Sequence, residues 1–260
     1  MSEKLSGPSG FEPVTIINSG GSSPFVLVCD HASNFIPDTL GDLGLSEADR
    51  KAHIAWDPGA LGVSLVLSKL LDAPLVYSNV SRLVIDCNRS VDAHDLVPPC
   101  SELTDVPGNQ NLTDAQRAER IALSHTPFHS AIDQVISERI AADKQTAVVS
   151  IHSYTPVYKG VQRPWEIGLI YGEDDALATP SLEALASSTN YSVGDNEPYA
   201  PSDGVYYTLN RHGTERGLKS LMIEIRNDEI TTAEQEAAWA ELLSPILTEA
   251  LKSTGEADAA

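Results

Sequence analysis

The stretch Phe25-Val26-Leu27-Val28-Cys29-Asp30-His31-Ala32-Ser33-Asn34 joins a short apolar run to a group of polar residues. Residues 25–29 predict a fully buried parallel strand, because such strands are continuously apolar and are bounded by turn residues such as Gly20-Gly21-Ser22-Ser23-Pro24. His31 then lies just past the strand. Ligands in α/β sheets gather at the carboxyl ends of strands, so this stretch predicts both a sheet and a site at its edge.

Two later stretches repeat the pattern of apolar residues beside polar ones. Ser81-Arg82-Leu83-Val84-Ile85-Asp86-Cys87-Asn88-Arg89 contains a strand-like run at 83–85, and Val148-Val149-Ser150-Ile151-His152-Ser153 ends a predicted strand over 147–151. All three stretches are therefore expected to present polar side chains at strand ends.

Strand and helix patterns alternate along the rest of the chain. Strands are predicted at 73–77, 166–171 and 220–226, and helices at 58–71, 113–142 and 234–251, with Pro127 breaking or kinking the second helix and Pro245 interrupting the last. Residues 90–112 lack periodicity and predict a lid or binding loop. The alternation predicts an α/β three-layer sandwich with a mostly parallel mixed sheet covered by helices on both faces.

Length and composition favour one soluble α/β domain. The 260 residues predict a single domain over residues 13–252, with flexible tails at 1–12 and 253–260. The sequence shows neither a signal peptide nor an apolar run long enough to span a membrane. Three cysteines without close spacing favour reduced thiols. These features predict a cytoplasmic protein and leave its oligomeric state open.

Charge restricts the class of partner. With 37 acidic and 17 basic residues, the formal net charge is −20, which repels nucleic acid and anionic membranes at long range. A small anionic substrate would need a local cluster of arginines to overcome this repulsion.

His31 and His152 are the candidate metal ligands. Two histidines at the ends of neighbouring parallel strands meet at one sheet edge, and imidazole is a common zinc ligand. A catalytic zinc needs a third protein ligand. Asn34 is close in sequence but is a neutral amide, and Asp30 and Asp57 are alternatives that the sequence leaves open.

Glu224 lies inside the apolar run Leu221-Met222-Ile223-Glu224-Ile225. A buried carboxylate is costly unless it is paired or lies near a metal, so Glu224 is a candidate general base. The alternative is a buried ion pair with Arg226 or another arginine.

The segment around Arg82, Asp86, Asn88 and Arg89 is a candidate clamp for an anionic substrate. The planar guanidinium of arginine matches a carboxylate, and Asp86 could hold one arginine in place. Three residues of later polar loops could add to the same pocket: Arg163, Arg211 and His212.

In combination, these motifs resemble the N-formylglutamate amidohydrolase family from about residue 25 to about residue 245. The matching segments, in order, are Cys29-to-Asn34, His53-to-Ala60, Ser81-to-Arg89, Ser150-to-Ser153, Gly194-to-Tyr199 and Ile223-to-Arg226. That family is in turn similar to the zinc carboxypeptidase and aspartoacylase superfamily. This chain has Asn34 where the superfamily has a ligand glutamate.

The resemblance implies a zinc-exopeptidase-like (phosphorylase/hydrolase-like) fold and a zinc-dependent amidohydrolase. The implied reaction is hydrolysis of N-formyl-L-glutamate to formate and glutamate, a step of histidine degradation. One Zn²⁺ is expected, with His31, Asn34 and His152 as ligands. Glu224, as general base, and Arg89 are the implied catalytic residues. The implied substrate-binding residues are Arg82, Asn88, Arg89, Ser153, Glu197, Tyr199 and His212.

Two other functions fit the same residues. One is a deacylase or peptidase acting on another small acidic substrate, such as an N-acylaspartate or a D-amino-acid amide. The other is a catalytically silent ligand-binding protein that has lost metal affinity through Asn34.

Overall fold

The computed structural model describes residues 11–257, with side chains described as far as residue 255. The strands are β1 (Val14–Ile17), β2 (Phe25–Cys29), β3 (Leu75–Ser78), β4 (Cys100–Ser101), β5 (Thr104–Asp105), β6 (Ala147–Tyr154), β7 (Val157–Tyr158), β8 (Val161–Gln162), β9 (Ile167–Ile170), β10 (Val193–Asp195) and β11 (Ser220–Arg226). The α-helices are α1 (Glu47–Lys51), α2 (Ala60–Leu71), α3 (Asp114–Arg120), α4 (Thr126–Ala141), α5 (Ala178–Ser188), α6 (Tyr207–His212) and α7 (Ala233–Ala257).

Seven strands form one mixed sheet in the order β1-β3-β2-β6-β11-β9-β10. Strands β3, β2, β6 and β11 are mutually parallel, β1 pairs antiparallel with β3, and β9 pairs antiparallel with β11 and parallel with β10. Because β2, β6 and β11 run in one direction, their carboxyl ends share one edge of the sheet. Four short strands form two hairpins apart from it, β4–β5 and β7–β8.

Helices cover both faces of the sheet. On one face α2, α5 and α7 pack against inward side chains such as Leu27 and Val149. On the other face α4 and α6 pack against the alternate residues, such as Val26 and Val148. Alternation of side chains along each strand separates the two cores. The structure therefore confirms the predicted three-layer α/β fold with a mostly parallel mixed sheet.

The predicted strand at Leu83–Ile85 is wrong, because this segment forms a turn. Its apolar side chains are nevertheless buried, in a third cluster with loop residues such as Leu45, Leu96 and Val106. A short apolar run indicates burial without specifying a strand, so the sequence pattern was compatible with either structure.

The prolines also act differently from expectation. Pro127 lies in the first turn of α4, where its missing N–H costs little, and α3 and α4 are joined by a single π-helical segment, Ile121–His125. Pro245 lies inside a continuous α7, whose neighbouring Leu243 and Leu247 are anchored in the core.

The chain termini differ in how far the structure describes them. Helix α7 extends into the predicted tail at 253–260, and Thr254 is buried there, so a flexible tail does not begin at residue 253. The predicted tail at 1–12 lies mostly outside the described residues, but Phe11 stacks on Phe35 with ring centroids 4.9 Å apart. Among the described helices, none is long and apolar enough to cross a membrane.

We expect Gly59→Ala to destabilise the fold strongly. Gly59 caps α2 with a φ of +81°, and a Cβ there would lie 2.4 Å from the Ile230 carbonyl oxygen. Gly204 has a similar φ of +77° with open space around it. The free energy of unfolding in urea should therefore fall about 2 kcal/mol more for Gly59→Ala than for Gly204→Ala. Equal losses would show that the contact with Ile230 contributes nothing.

Candidate metal centre and active site

His31, Asp57 and His152 form a compact buried group at the carboxyl edge of the sheet. Their candidate ligand atoms all lie within 4.8 Å of one another. Asp57 Oδ2 is 3.3 Å from His31 Nδ1 and 2.9 Å from His152 Nδ1. The structure thus brings together the two predicted histidines, and the carboxylate beside them is Asp57, one of the alternatives that the sequence left open.

Three different elements position this group. His31 follows β2, and His152 lies within β6, which continues past the predicted end at 151 to Tyr154. Asp57 lies in the loop before α2, where its backbone N–H donates to the His31 carbonyl at 2.9 Å. A loop distant in sequence is therefore fixed directly onto the end of β2.

Two further carboxylates lie beside the Nε2 atoms of the two rings, the outer nitrogens that face away from Asp57. His31 Nε2 lies 2.8 Å from Asp86 Oδ1, and His152 Nε2 lies 3.2 Å from Asp30 Oδ2. Asp86 accepts from His31 Nε2–H and so turns Nδ1 of that ring towards Asp57, as is usual for metal-binding histidines, whereas Asp30 Oδ2 and His152 Nε2 lie close without a hydrogen bond within the described residues. Histidine nitrogens and a carboxylate oxygen are also the ligands of many catalytic zinc sites. The residues present therefore fit a zinc ion.

The buried carboxylates make the surroundings of the two imidazoles negative and so favour their protonated form. Burial opposes ionisation of Asp57, but Arg82 and His31 outweigh it and hold its pKa well below the ordinary value. Burial likewise opposes protonation of His152, but Asp30 and Asp57 raise its pKa well above the ordinary value. Protons supply the compensating charge on the imidazoles, and binding of a divalent metal releases such protons.

Glu224 lies next to this group on the adjacent strand. In the parallel register it is the direct partner of His152, so both side chains are on the same face of the sheet. Glu224 is 4% exposed, and its Oε2 has no hydrogen-bond partner within the described part of the chain. Burial raises its pKa to about 7, with His152 opposing and Asp57 adding to the shift.

Arg226 does not pair with Glu224. Its guanidinium instead forms ion pairs with Glu166, Asp228 and Glu229 at 2.7 to 3.3 Å. The interpretation of Glu224 as half of a buried ion pair with Arg226 is therefore wrong, and the carboxylate remains available at the pocket wall.

Arg82 is bound to the histidine–aspartate group. Its Nη1 lies 3.1 Å from Asp57 Oδ1, and its Nε donates to the Ile54 carbonyl. Its Nη2 donates to the carbonyl of His53, whose own Nε2 lies 2.7 Å from the Ser153 carbonyl. Burial and the nearby Arg82 lower the pKa of His53 to about 3, so this ring is neutral.

Asn88, Arg89 and Ser153 line the pocket but also have structural partners. The Asn88 side chain donates to the Val205 carbonyl and accepts from the Thr208 N–H. Arg89 Nε donates to Asp95 at 2.8 Å. Ser153 Oγ donates to the Pro58 carbonyl, so its hydroxyl hydrogen is already used.

Together these residues surround a cavity of about 240 Å³, a size suited to a small molecule. Tyr199 forms part of its wall. Both hairpins border the cavity, through Glu102 on one and Tyr158 on the other. Glu102 Oε1 accepts from the backbone N–H of Lys159 at 3.2 Å, which links the two hairpins at the cavity. Residues 90–112, predicted as a binding loop, thus contribute directly to its wall.

Five residues predicted for the site do not line the cavity: Asn34, Arg163, Glu197, Arg211 and His212. Asn34 donates through Nδ2 to the Arg50 carbonyl and does not line the cavity, so it is not placed as a third ligand. Glu197 is exposed, and its carbonyl packs against Gly168 and Gly194. His212 is buried in α6 on the opposite side of the Asn88 turn, where its Nε2 lies 2.8 Å from another imidazole.

His53 was missed as a site residue although it borders the cavity. A signal for it was present, because His53 and Asp57 are four residues apart and so can approach one another, and their Nε2 and Oδ1 atoms lie 3.4 Å apart. The sequence also points to Asp30 and Asp86, but it does not place them beside the outer nitrogens of the histidines.

Comparisons with known proteins bear on the family and the fold. The family model of N-formylglutamate amidohydrolase matches residues 23–231. The structure of gene product Atu2144 from Agrobacterium tumefaciens is 42% identical with a TM-score of 0.92, covering 94% of this chain and 97% of that one. N-formylglutamate amidohydrolase from Ralstonia eutropha JMP134 shares the fold at 19% identity and a TM-score of 0.71, covering 94% and 99%. A search of curated proteins found no match.

Zinc titration of two variants distinguishes Asp57 from Asn34 as the third ligand. We expect Asp57→Asn to raise the zinc dissociation constant by more than about 100-fold, since even residues that only support ligands cost 10–100-fold. Asn34→Ala should leave it within about threefold, because the Asn34 side chain contacts Arg50 instead. Competition with a chromophoric chelator measures both. The reverse order of affinities would reassign the ligand to Asn34.

Proposed function

Because this chain belongs to the N-formylglutamate amidohydrolase family, we propose that it is a zinc-dependent enzyme that hydrolyses N-formyl-L-glutamate to formate and glutamate. The observation that supports this most is the position of Glu224. A buried carboxylate with an unpartnered oxygen faces a small cavity, directly beside two histidines and an aspartate arranged as metal ligands. Such a juxtaposition is typical of metal-assisted hydrolysis.

His31, Asp57 and His152 would hold the zinc ion. When bound, zinc acts as a Lewis acid that polarises a carbonyl oxygen and makes water a better nucleophile near neutral pH. Asp86 keeps the His31 imidazole in the required orientation through Nε2, and the negative charge of Asp30 lies 3.2 Å from His152 Nε2.

Glu224 would transfer the proton. As water attacks the formyl carbon, Glu224 accepts a proton from the water, and the carbon–nitrogen bond then breaks as Glu224 returns that proton to the leaving amine. A pKa of about 7 suits both transfers, because the carboxylate is neither too weak a base nor too weak an acid at neutral pH.

The arginines would receive the two carboxylates of the substrate. Arg82 and Arg89 both line the cavity and bring positive charge into a chain whose formal net charge is −20. Their planar guanidinium groups match carboxylates in shape and charge. With this substrate the enzyme would act in histidine degradation, as the resemblance implies.

Glu224→Gln should bind zinc normally but turn over very slowly. The amide cannot accept a proton, so kcat should fall by about 10²–10⁴-fold, the usual contribution of a general base. Glu241→Gln on the exposed surface of α7 is the matched control and should retain full activity. Formate release measures turnover, and chelator competition measures zinc. A Glu224→Gln enzyme with wild-type kcat would refute the proton-transfer role.

A substrate panel tests the proposed specificity. N-formyl-L-glutamate should have the highest kcat/KM, and N-formyl-L-glutamine should fall about 10–100-fold below it because one charged hydrogen-bonding interaction is lost. N-acetyl-L-aspartate and N-acetyl-L-glutamate report the alternative deacylase activities. Faster hydrolysis of either acetyl compound would replace the proposed substrate, and no hydrolysis of any compound by the zinc-loaded protein would favour a silent binding protein.

A further inference from the structure

Three buried histidines behind the cavity are not used by the proposed reaction. They are His125 at the end of the π-helical segment, His129 in α4 and His212 in α6, and each is 2% exposed or less. His129 Nδ1 lies 2.8 Å from His212 Nε2, and the rings of His125 and His129 have centroids 4.4 Å apart. Buried polar rings of this kind require partners.

Two of these rings form hydrogen bonds with the backbone of the turn that borders the cavity. His129 Nε2 lies 2.9 Å from the Cys87 carbonyl oxygen, and His125 Nε2 lies 2.9 Å from the Arg89 carbonyl oxygen. A carbonyl only accepts hydrogen bonds, so both Nε2 atoms must carry hydrogen. The two acceptor residues, Cys87 and Arg89, flank Asn88, which lines the cavity.

The hydrogen bond from His129 to the Cys87 carbonyl fixes the tautomers of both His129 and His212. Since His129 donates through Nε2, its Nδ1 is an acceptor when the ring is neutral, and His212 Nε2 must donate to it. Burial and the neighbouring His125 lower the pKa of His129 to about 3, and burial lowers the pKa of His212 to about 4, so both rings are neutral at pH 7. His212 Nδ1 has no hydrogen-bond partner within the described residues, although an Asp133 oxygen lies 3.2 Å from it.

The row of hydrogen-bonded histidines cannot conduct protons to the active site, because it ends at a backbone carbonyl that has no proton to exchange. Its effect is mechanical. The turn at 86–89 belongs to no strand, so the sheet does not fix the carbonyls of Cys87 and Arg89. Backbone acceptors that lie outside regular structure need side-chain donors when they are buried.

The same turn reaches the metal-binding group. Asp86 Oδ1 accepts from the Asn88 N–H at 2.8 Å and also lies 2.8 Å from His31 Nε2. A shift of the turn would therefore move the carboxylate that orients His31 together with the side chains of Asn88 and Arg89. A π-helical turn immediately before α4 is consistent with a functional constraint here, since such turns occur often at functional sites.

We propose that His125 and His129 are positioning residues that hold the Cys87–Arg89 turn in the geometry needed to bind substrate. His212 supports them by donating a hydrogen bond to His129. They touch neither the cavity group nor the substrate, and they act through the turn. The kinetic part of this inference rests on the proposed function. The structural part, that the histidine donors fix the turn, stands independently of it.

His129→Leu tests the inference by removing the donor to Cys87. Hydrogen-exchange mass spectrometry should show about tenfold faster exchange in peptides covering residues 86–90 and unchanged exchange in β6, the effect expected from one lost hydrogen bond. KM for N-formyl-L-glutamate should rise about tenfold while kcat stays within about threefold. His129→Gln retains a side-chain N–H donor and should recover both values.

Val135→Ala is the control for simple loss of packing, because Val135 is buried on the same helix six residues beyond His129. It should lower stability without changing exchange at the turn or KM. If His129→Leu does not fold, His125→Leu is measured in the same way with the same expected changes. Wild-type exchange at 86–90 in the folded histidine variant, or equal changes in Val135→Ala, would overturn the inference. If the wild-type protein does not hydrolyse N-formyl-L-glutamate, the proposed function fails while the exchange data still decide the positioning role.

Discussion

The Asp57 carboxylate, buried between two imidazoles, is the constraint on which the site depends. A buried anion is tolerated only when positive charge and hydrogen bonds compensate it. Here the compensation comes from His31, His152 and the Nη1 of Arg82, all within 3.3 Å of its oxygens. Each partner belongs to a different part of the chain, so the need to satisfy one carboxylate joins two strands and two loops at one point.

The sheet makes this convergence possible. Parallel β2, β6 and β11 bring their carboxyl ends to the same edge, and the register between β6 and β11 sets Glu224 beside His152. Burial raises the pKa of Glu224, and repulsion from the neighbouring Asp57 carboxylate adds to the shift. Both effects destabilise the ionised form and make Glu224 more basic, as the proposed proton-transfer role requires.

Support for the site extends outward in layers. Asp86 orients His31, and the Asp86 turn is in turn held by His125 and His129. Rigid outer contacts of this kind matter because catalytic groups must be held to within a fraction of an ångström. Much of the polar interior of this protein is therefore explained by a small cavity rather than by stability alone.

The sequence alone determined the α/β class, the strands β2, β6 and β11, and the burial of Glu224, because apolar runs indicate which residues are buried on folding. It also identified His31 and His152 as candidate ligands, since the end of a strand is a local feature of the sequence. Local patterns could not show that Leu83–Ile85 is a turn, because a buried turn and a buried strand are equally apolar.

Only the tertiary structure decided which residues meet. Asn34 is three residues from His31 yet turns to Arg50, whereas Asp57 comes from a distant loop that is bonded to the end of β2. His212 looked like a pocket residue but lies behind the Asn88 turn, because α6 packs on the opposite face of the sheet from α2. Sequence periodicity encodes the burial of each residue, but the proximity of two residues on separate loops is set by how the layers pack.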